Sequence, residues 1–346
     1  MSHVAERSAP TQADAGHHLL QLTTGYMVSA ALQSAVRLRV ADHLATGPRP
    51  VAELATVTSA NEDALYRILR ALSMLGVFAE TAPRTFGLTP VGELLSADHP
   101  HSLCNLVMFL SDPLHFRVYG EMLSAAKTGT PAGERVVGMP LFEYFERNPE
   151  YAKEFNDAMT TFSASVAPAM LKAYDFSGIT TLVDVAGGHG MILGSILRQY
   201  PTIRGILFDL EHVVSGATAL DTFGVRDRVT TASGDFFQGV PAGGDAYLMK
   251  HIIHDWDDER ASLILKNIRT ALDGRPNGKV ILLEAVLRPG NEPDLGKLID
   301  LEMLLLPGGR ERTAEDFGAL FARSGFALSR IVPTESPLAV IEATVQ

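Results

Sequence analysis

Residues suited to moving protons gather late in the chain. His254 stands in Lys250-His251-Ile252-Ile253-His254-Asp255-Trp256-Asp257-Asp258, where the pattern predicts the end of a strand beginning near Ala246 and a helix starting near Asp257. A histidine at the C-terminal edge of such a strand faces the crevice in which open α/β sheets take ligands. There it can draw the proton from a hydroxyl that is attacking a methyl group. Glu284 closes the next strand in Leu282-Leu283-Glu284-Ala285, and Glu311 lies in Gly308-Gly309-Arg310-Glu311-Arg312-Thr313. Acids arriving from adjoining strand ends can orient the imidazole and stabilise the cation it becomes. A lone loop histidine is more often structural, so the two acids carry the reading. Trp256, the chain's one tryptophan, adds a flat apolar wall.

A second group suits a nucleotide-like ligand. In Leu182-Val183-Asp184-Val185-Ala186-Gly187-Gly188-His189-Gly190, the glycines Gly187, Gly188 and Gly190 fall between a predicted strand and a predicted helix, where backbone can approach a ligand closely. Asp209, in Phe208-Asp209-Leu210, follows Gly190 by 19 positions, the spacing at which a carboxylate meets a ribose. That spacing serves a nicotinamide cofactor and S-adenosylmethionine equally. Two features favour the latter. Asp184 interrupts a strand that stays apolar in a dehydrogenase, and Gly234-Asp235-Phe236-Phe237 offers a carboxylate and aromatic rings to an adenine. Bland readings stand beside both, a turn-capping Asp184 and a helix-capping Asp235.

These side chains need a scaffold that brings strand ends together. From Gly178 onward, short apolar runs alternate with longer amphipathic ones, the pattern of a doubly wound sheet. Strands are expected at Thr181–Val185, Arg204–Phe208, Arg228–Thr231, Ala246–Met249, Lys279–Val286, Leu328–Val332 and Leu338–Thr344. Upstream, residues 102–176 read as helices punctuated by Pro113, a loop from Thr128 to Pro140, and Pro149. Phe155, Met159 and Phe162 fall there at helical spacing, which suits either core packing or the lining of a substrate pocket.

The first 101 residues form a separate pattern. Residues 1–16 are small and polar and are expected to be unstructured. A long helical stretch follows to about Ala45, apolar on more than one face and therefore a candidate dimer element. Next come a short helix with Val51, Leu54 and Val57, a helix capped at Asn61 and ending at Gly76, and two short strands around Val77–Glu80 and Phe86–Leu88. This order spells a winged helix, a shape common among DNA-binding regulators. Its second helix offers only Arg67 and Arg70 against Glu62 and Asp63, which favours dimerisation or a lid over DNA.

Composition excludes several partners. A net charge of -11 over 346 residues disfavours nucleic acid and anionic membranes, which are bound through Lys and Arg. The single cysteine, Cys104, rules out an intrachain disulfide and a cysteine-based metal site. No apolar run is long enough to span a membrane and no targeting signal is legible, so a cytoplasmic protein is expected. No metal is expected either, because the histidines and acids show no spaced ligand cluster.

Taken in order, the glycine loop at 183–190, Phe208-Asp209-Leu210, Gly234-Asp235-Phe236, His254-Asp255-Trp256 and the 308–313 segment resemble the O-methyltransferases related to caffeic acid and acetylserotonin methyltransferases, including the bacterial antibiotic-tailoring branch. The resemblance runs along nearly the whole chain. It implies an α/β fold with a Rossmann-like methyltransferase sheet whose last strand is antiparallel, and an N-terminal all-helical winged-helix dimerisation domain whose first helix reaches into the partner's pocket. The domains would be 1–101 and 102–346. It further implies that Asp209 binds the ribose of S-adenosylmethionine, that Asp235 and Phe236 hold its adenine, and that Gly187 and Lys250 lie along the donor. Asp184, Gly188, Gly190, Leu210 and Gly234 complete the expected donor set. His254 would be the general base, flanked by Glu284 and Glu311, with Asp255 and Trp256 near a small aromatic substrate in a homodimer.

Two departures from the family pattern stand out. Ala186 replaces a glycine of many relatives, and the apolar run Met303-Leu304-Leu305-Leu306 stands where plant relatives carry polar contacts, which implies a greasier substrate touched by Met303. Rival readings are a same-fold protein that hydroxylates or decarboxylates, a NAD-dependent oxidoreductase and a ligand-sensing regulator.

Overall fold

The computed structural model describes residues 12–272 and 274–346. The chain divides into two compact units, one ending at Asp112 and the other running from Pro113 to Gln346.

The first unit begins with helices Gln12–Thr23, Gly25–Arg37 and Val40–Leu44. The single long helix expected there is thus interrupted twice, the second time around Arg39, whose φ of 55° is left-handed. Residues 12–16, expected to be unstructured, already belong to the first helix, and residues 1–11 lie outside the described set. Helices Val51–Thr58 and Glu62–Met74 follow, then an antiparallel hairpin of Phe78–Ala82 and Thr85–Leu88 to which Arg49–Pro50 adds a third short strand. The winged-helix reading holds, with the wing supplying the only strands in a helical unit. Asn61 caps its helix as expected, its side chain accepting from the Ala64 N–H at 3.0 Å. Leu65, Leu69 and Leu72 repeat at helical spacing and sink into a core with Leu54, Phe78 and Phe86. Cys104, in helix Cys104–Leu110, packs in the same core. Leu19, Leu20, Leu22, Tyr26 and Met27 remain exposed.

The second unit opens with five helices: Pro113–Tyr119, Met122–Thr128, Gly133–Val137, Leu141–Arg147 and the 25-residue Pro149–Ala173. A helical turn therefore occupies the middle of the loop expected between Thr128 and Pro140. Beyond them lies a seven-stranded sheet, numbered here within the sheet: β1 Thr181–Val185, β2 Arg204–Asp209, β3 Val229–Ser233, β4 Ala246–Lys250, β5 Lys279–Glu284, β6 Phe326–Pro333 and β7 Ala339–Val345. Their order is β6-β7-β5-β4-β1-β2-β3. The first five are parallel, and β7 runs antiparallel to both β5 and β6. All seven expected strands exist within a residue or two of the expected limits.

The period-two alternation of a strand sorts side chains onto the two faces. Leu182, Leu248, Ile281 and Leu283 pack on one face with helices Pro149–Ala173 and Met191–Gln199. Val183, Val185, Tyr247, Met249 and Leu282 pack on the other with helices Asp258–Ala271 and Ala314–Arg323. Burial on both faces explains why these strands read as nearly continuous apolar runs. The chain winds from β1 through β2 to β3 on one side and places β4 on the other, which opens a crevice at the carboxyl ends of β1 and β4.

Candidate active site

The strand ends converge as the winding dictates. β1 passes into Ala186-Gly187-Gly188-His189-Gly190 and helix Met191–Gln199, β2 ends at Asp209, β3 leads to Gly234, and β4 ends at Lys250. They border a cavity of about 500 Å³. Gly187, Gly188, Asp209, Leu210, Gly234, Asp235, Phe236, Lys250, Asp255 and Trp256 all line it, as do Phe155 and Met159.

Glycine is required in this loop for different reasons at different positions. A side chain on Gly187 would stand 2.5 Å from Leu207 and 2.6 Å from Asp184, so the backbone is wedged between strand and carboxylate. Gly188 has a φ of 58° and open space on its Cβ side, leaving room for a ligand against bare backbone. Ala186 adopts a φ of 54°, so the family's glycine is replaced by a residue that occupies the left-handed conformation under strain.

Asp209 holds the loop down: its carboxylate accepts from the Gly188 N–H at 2.8 Å and from the Leu210 N–H at 2.7 Å. Each oxygen keeps a lone pair for a ligand. One Asp235 oxygen accepts from the Phe237 N–H at 2.8 Å, which is the capping role in part. Asn267, unsuspected in the sequence, fixes the Phe236 and Phe237 carbonyls at 2.7 and 3.0 Å. Asp184 does not line the cavity. It is 2 % exposed behind Gly187, one oxygen has no partner, and burial followed by the nearby Asp209 raises its carboxyl to about 7 while Lys250 pulls the other way. Gly190, Phe162 and Met303 also fall outside the lining. Gly190 starts the helix, Phe162 stacks on the His251 ring at 5.0 Å and passes beneath the Lys250 ammonium, and Met303 is buried in helix Gly296–Leu305.

Aromatic rings close one side. Trp256 stacks on Phe142 at 5.5 Å and 25° and meets Phe237 edge-on at 4.8 Å, while Phe145 leans on Phe155 at 4.8 Å. Parallel walls of this kind suit a flat ring.

His254 sits in the single turn Ile253–Asp255 and is 5 % exposed. It is not itself part of the lining, but its ring lies 4.3 Å from that of His251, which is. Its Nδ1 shares a proton with Glu311 at 2.7 Å, and Asp255 stands 3.5 Å from Nε2. Glu284 is 3.8 Å from Nδ1, beyond hydrogen-bond reach, and serves another purpose: one oxygen accepts from the Ile252 and Ile253 N–H groups at 3.1 and 3.0 Å, fixing the turn that presents His254. Burial, then Asp300, raises Glu311 to about 8 against the pull of Arg312. Burial also lowers Lys250 to about 8 despite Glu284, Asp184 and Asp255, and raises Asp255 to about 7.

The 308–313 segment grips this turn from the other side. The Arg310 N–H donates to the His254 carbonyl at 2.8 Å, and a Cβ on Gly309 would fall 1.9 Å from the same oxygen. The Arg312 side chain is 1 % exposed and donates to the Ile253 and Trp256 carbonyls, both at 2.9 Å, and to Asp258 at 2.8 Å. Sequence reading singled out Glu311 in this stretch and missed Arg312. It missed His251 too, whose left-handed φ of 52° turns it toward its neighbours. Among the described residues, His251, His254 and Glu284 bring three potential metal-ligand atoms within 4.8 Å of one another, a cluster that linear spacing hid.

Comparison with known proteins places this geometry. Residues 119–327 match the O-methyltransferase domain and residues 20–98 the O-methyltransferase dimerisation domain. The chain is 43% identical over 326 residues to the phenazine O-methyltransferase PhzM of Lysobacter antibioticus, covering 94% of this chain and 95% of that one. Its fold superposes on the crystal structure of LaPhzM with a TM-score of 0.92 at 42% identity, covering 96% of this chain and 99% of that one. It also superposes on CalO1, a methyltransferase of calicheamicin biosynthesis in its S-adenosylhomocysteine-bound form, with a TM-score of 0.85 at 33% identity, covering 97% and 100%.

Proposed function

The chain belongs to the O-methyltransferase family and is an S-adenosylmethionine-dependent methyltransferase, and from that premise we propose that it methylates a hydroxyl on a flat, largely apolar aromatic secondary metabolite, with His254 as general base. The observation that carries the reading is the Glu311–His254 bond of 2.7 Å. With Nδ1 committed to the carboxylate, Nε2 is left as the acceptor, the arrangement of a base held in one tautomer by an orienting acid.

The donor site fits its ligand on several counts. Gly188 leaves open space at the backbone, Asp209 and Asp235 keep acceptor capacity for ribose and adenine, and the Phe236–Phe237 pair provides an apolar bed. Bound there, S-adenosylmethionine supplies a sulfonium methyl that a hydroxyl oxygen takes as it loses its proton, the sulfur keeping the electrons of the broken bond. His254 Nε2 receives that proton, and Glu311 stabilises the resulting imidazolium. Asp255, beside Nε2, favours the charged imidazole as well. Phe142, Trp256, Phe155 and Met159 hold an aromatic ring flat, and alignment with water excluded supplies most of the acceleration. The exposed apolar residues of the first helices, with the dimerisation-domain match, support a homodimer.

The test pairs the purified protein and methyl-labelled S-adenosylmethionine with a panel of hydroxylated polycyclic arenes. Methyl ethers formed by the wild type and lost in His254→Ala support the reading. A protein that binds the donor yet hydroxylates or decarboxylates the same compounds defeats it.

A further inference from the structure

We propose that His251, His254 and Glu284 form a site for a divalent transition-metal cation of the zinc kind, and that its occupation switches the base off. The three residues offer one ligand atom each within 4.8 Å of one another, with His254 Nδ1 and Glu284 Oε2 only 3.8 Å apart. Zinc held at about 2.0–2.2 Å by nitrogen and oxygen spaces its tetrahedral ligands roughly 3.3 Å apart, so a small contraction closes the site.

Three further observations point to an occupant. His251 Nε2, Glu284 Oε2 and Glu311 Oε2 are all buried without a hydrogen-bond partner, and Glu284 is 0 % exposed. Unsatisfied atoms of this kind are rare in folded proteins, and a bound ion or water is a common reason for them. The frame is already set: Glu284 Oε1 is committed to the Ile252 and Ile253 N–H groups, which aims Oε2 inward, and the His251 N–H donates to the Leu283 carbonyl at 3.1 Å. Charge also favours a cation, since Glu284, Glu311, Asp255 and Asp184 gather around one Lys250. Two imidazoles and a carboxylate suit zinc or cobalt rather than magnesium, which asks for oxygen alone.

The consequence for turnover rests on the reading of His254 as base. A cation on Nδ1 displaces the proton shared with Glu311 and draws electron density from the ring, so Nε2 no longer takes a proton from the substrate. Glu311, released, is placed to become a fourth ligand.

Zinc is titrated into the S-adenosylhomocysteine complex in competition with a chromophoric chelator, and cobalt absorption reports the ligand geometry. One ion per chain is expected, bound at least tenfold more weakly by His251→Phe and by Glu284→Gln. The affinity should be unchanged in Cys104→Ser and in the His99→Ala/His101→Ala double variant, and magnesium should not compete. S-adenosylhomocysteine affinity, measured on every variant, certifies the fold independently of turnover. Failure to bind zinc, or equal affinity in both His251→Phe and Glu284→Gln, overturns the site. Zinc bound there with undiminished wild-type turnover overturns the switch and, with it, the role given to Nδ1.

Discussion

The two halves of the active site are built by opposite means. On the donor side, at the ends of β1, β2 and β3, the working surface is backbone: a glycine loop wedged against Leu207 and tied by two N–H groups to Asp209. On the base side, beyond β4 and β5, it is buried side-chain charge, with Glu284, Glu311 and Arg312 converging on one turn of four residues. A backbone cradle depends on steric room and local sequence. A charged cluster depends on segments far apart in the chain meeting in a dry place.

If the contrast is real, the two sides fail differently. The largest effect is expected from His254→Ala, which should lower kcat by roughly 100 to 10,000-fold, the usual worth of general base catalysis. Donor affinity by calorimetry should stay within about twofold, since an intact donor half does not consult the imidazole. Comparable losses of kcat and donor binding would mean that the two halves are one. Arg312→Met comes next. Stranding the Ile253 and Trp256 carbonyls should destabilise the fold by about 1–3 kcal/mol in denaturant unfolding and lower kcat by more than tenfold. Arg312→Lys should not restore it, because an ammonium lacks the fork that reaches both carbonyls and Asp258.

Gly187→Ala tests the other side. Forcing a methyl group between Leu207 and Asp184 costs on the order of 1–3 kcal/mol. The loss should appear as a 10 to 100-fold weaker S-adenosylhomocysteine complex, while a saturating donor restores most of kcat. An unchanged affinity would show that the loop yields. The smallest effect is predicted for Ala186→Gly, where relief of about 1–2 kcal/mol of left-handed strain is offset by about 0.5–1 kcal/mol of glycine entropy. Stability should rise by about 0.5 kcal/mol, with donor affinity unmoved.

The same division governs what could be read from the sequence. The donor half was legible because its parts are local: a strand, three glycines and an acid 19 positions on lie within one βαβ unit, and Thr181–Val185 was placed with its observed limits. Asn61 at its cap and the leucines behind it are local signals too. Nothing near Arg312 says that its guanidinium will seek the carbonyls of residues 253 and 256, because hydrogen bonds to backbone carry no partner-specific signature. The same holds for Asn267 beneath Phe236, and for Glu284, whose carboxylate was expected on the imidazole and instead holds the amides before it. His251 was overlooked since its importance comes from a positive φ that sequence does not announce. The helices before Ala45 were merged because their apolar residues continue across Thr24 and Arg39 without a glycine or proline at either break.

The antiparallel insertion of β7 has a bearing on how the protein is made. β7 lies between β5 and β6 in the sheet, with Ala339 paired to Glu284 at the very end of β5. As the chain leaves the ribosome, β5 therefore waits with one edge unpaired until a segment well downstream has emerged, and an unpaired apolar edge is a template for another chain. The carboxylate that fixes the His254 turn sits on that waiting edge. Nascent chains halted before β7 should be both catalytically silent and prone to aggregate, and a chaperone that shields strand edges would act on this protein during the interval between the two strands.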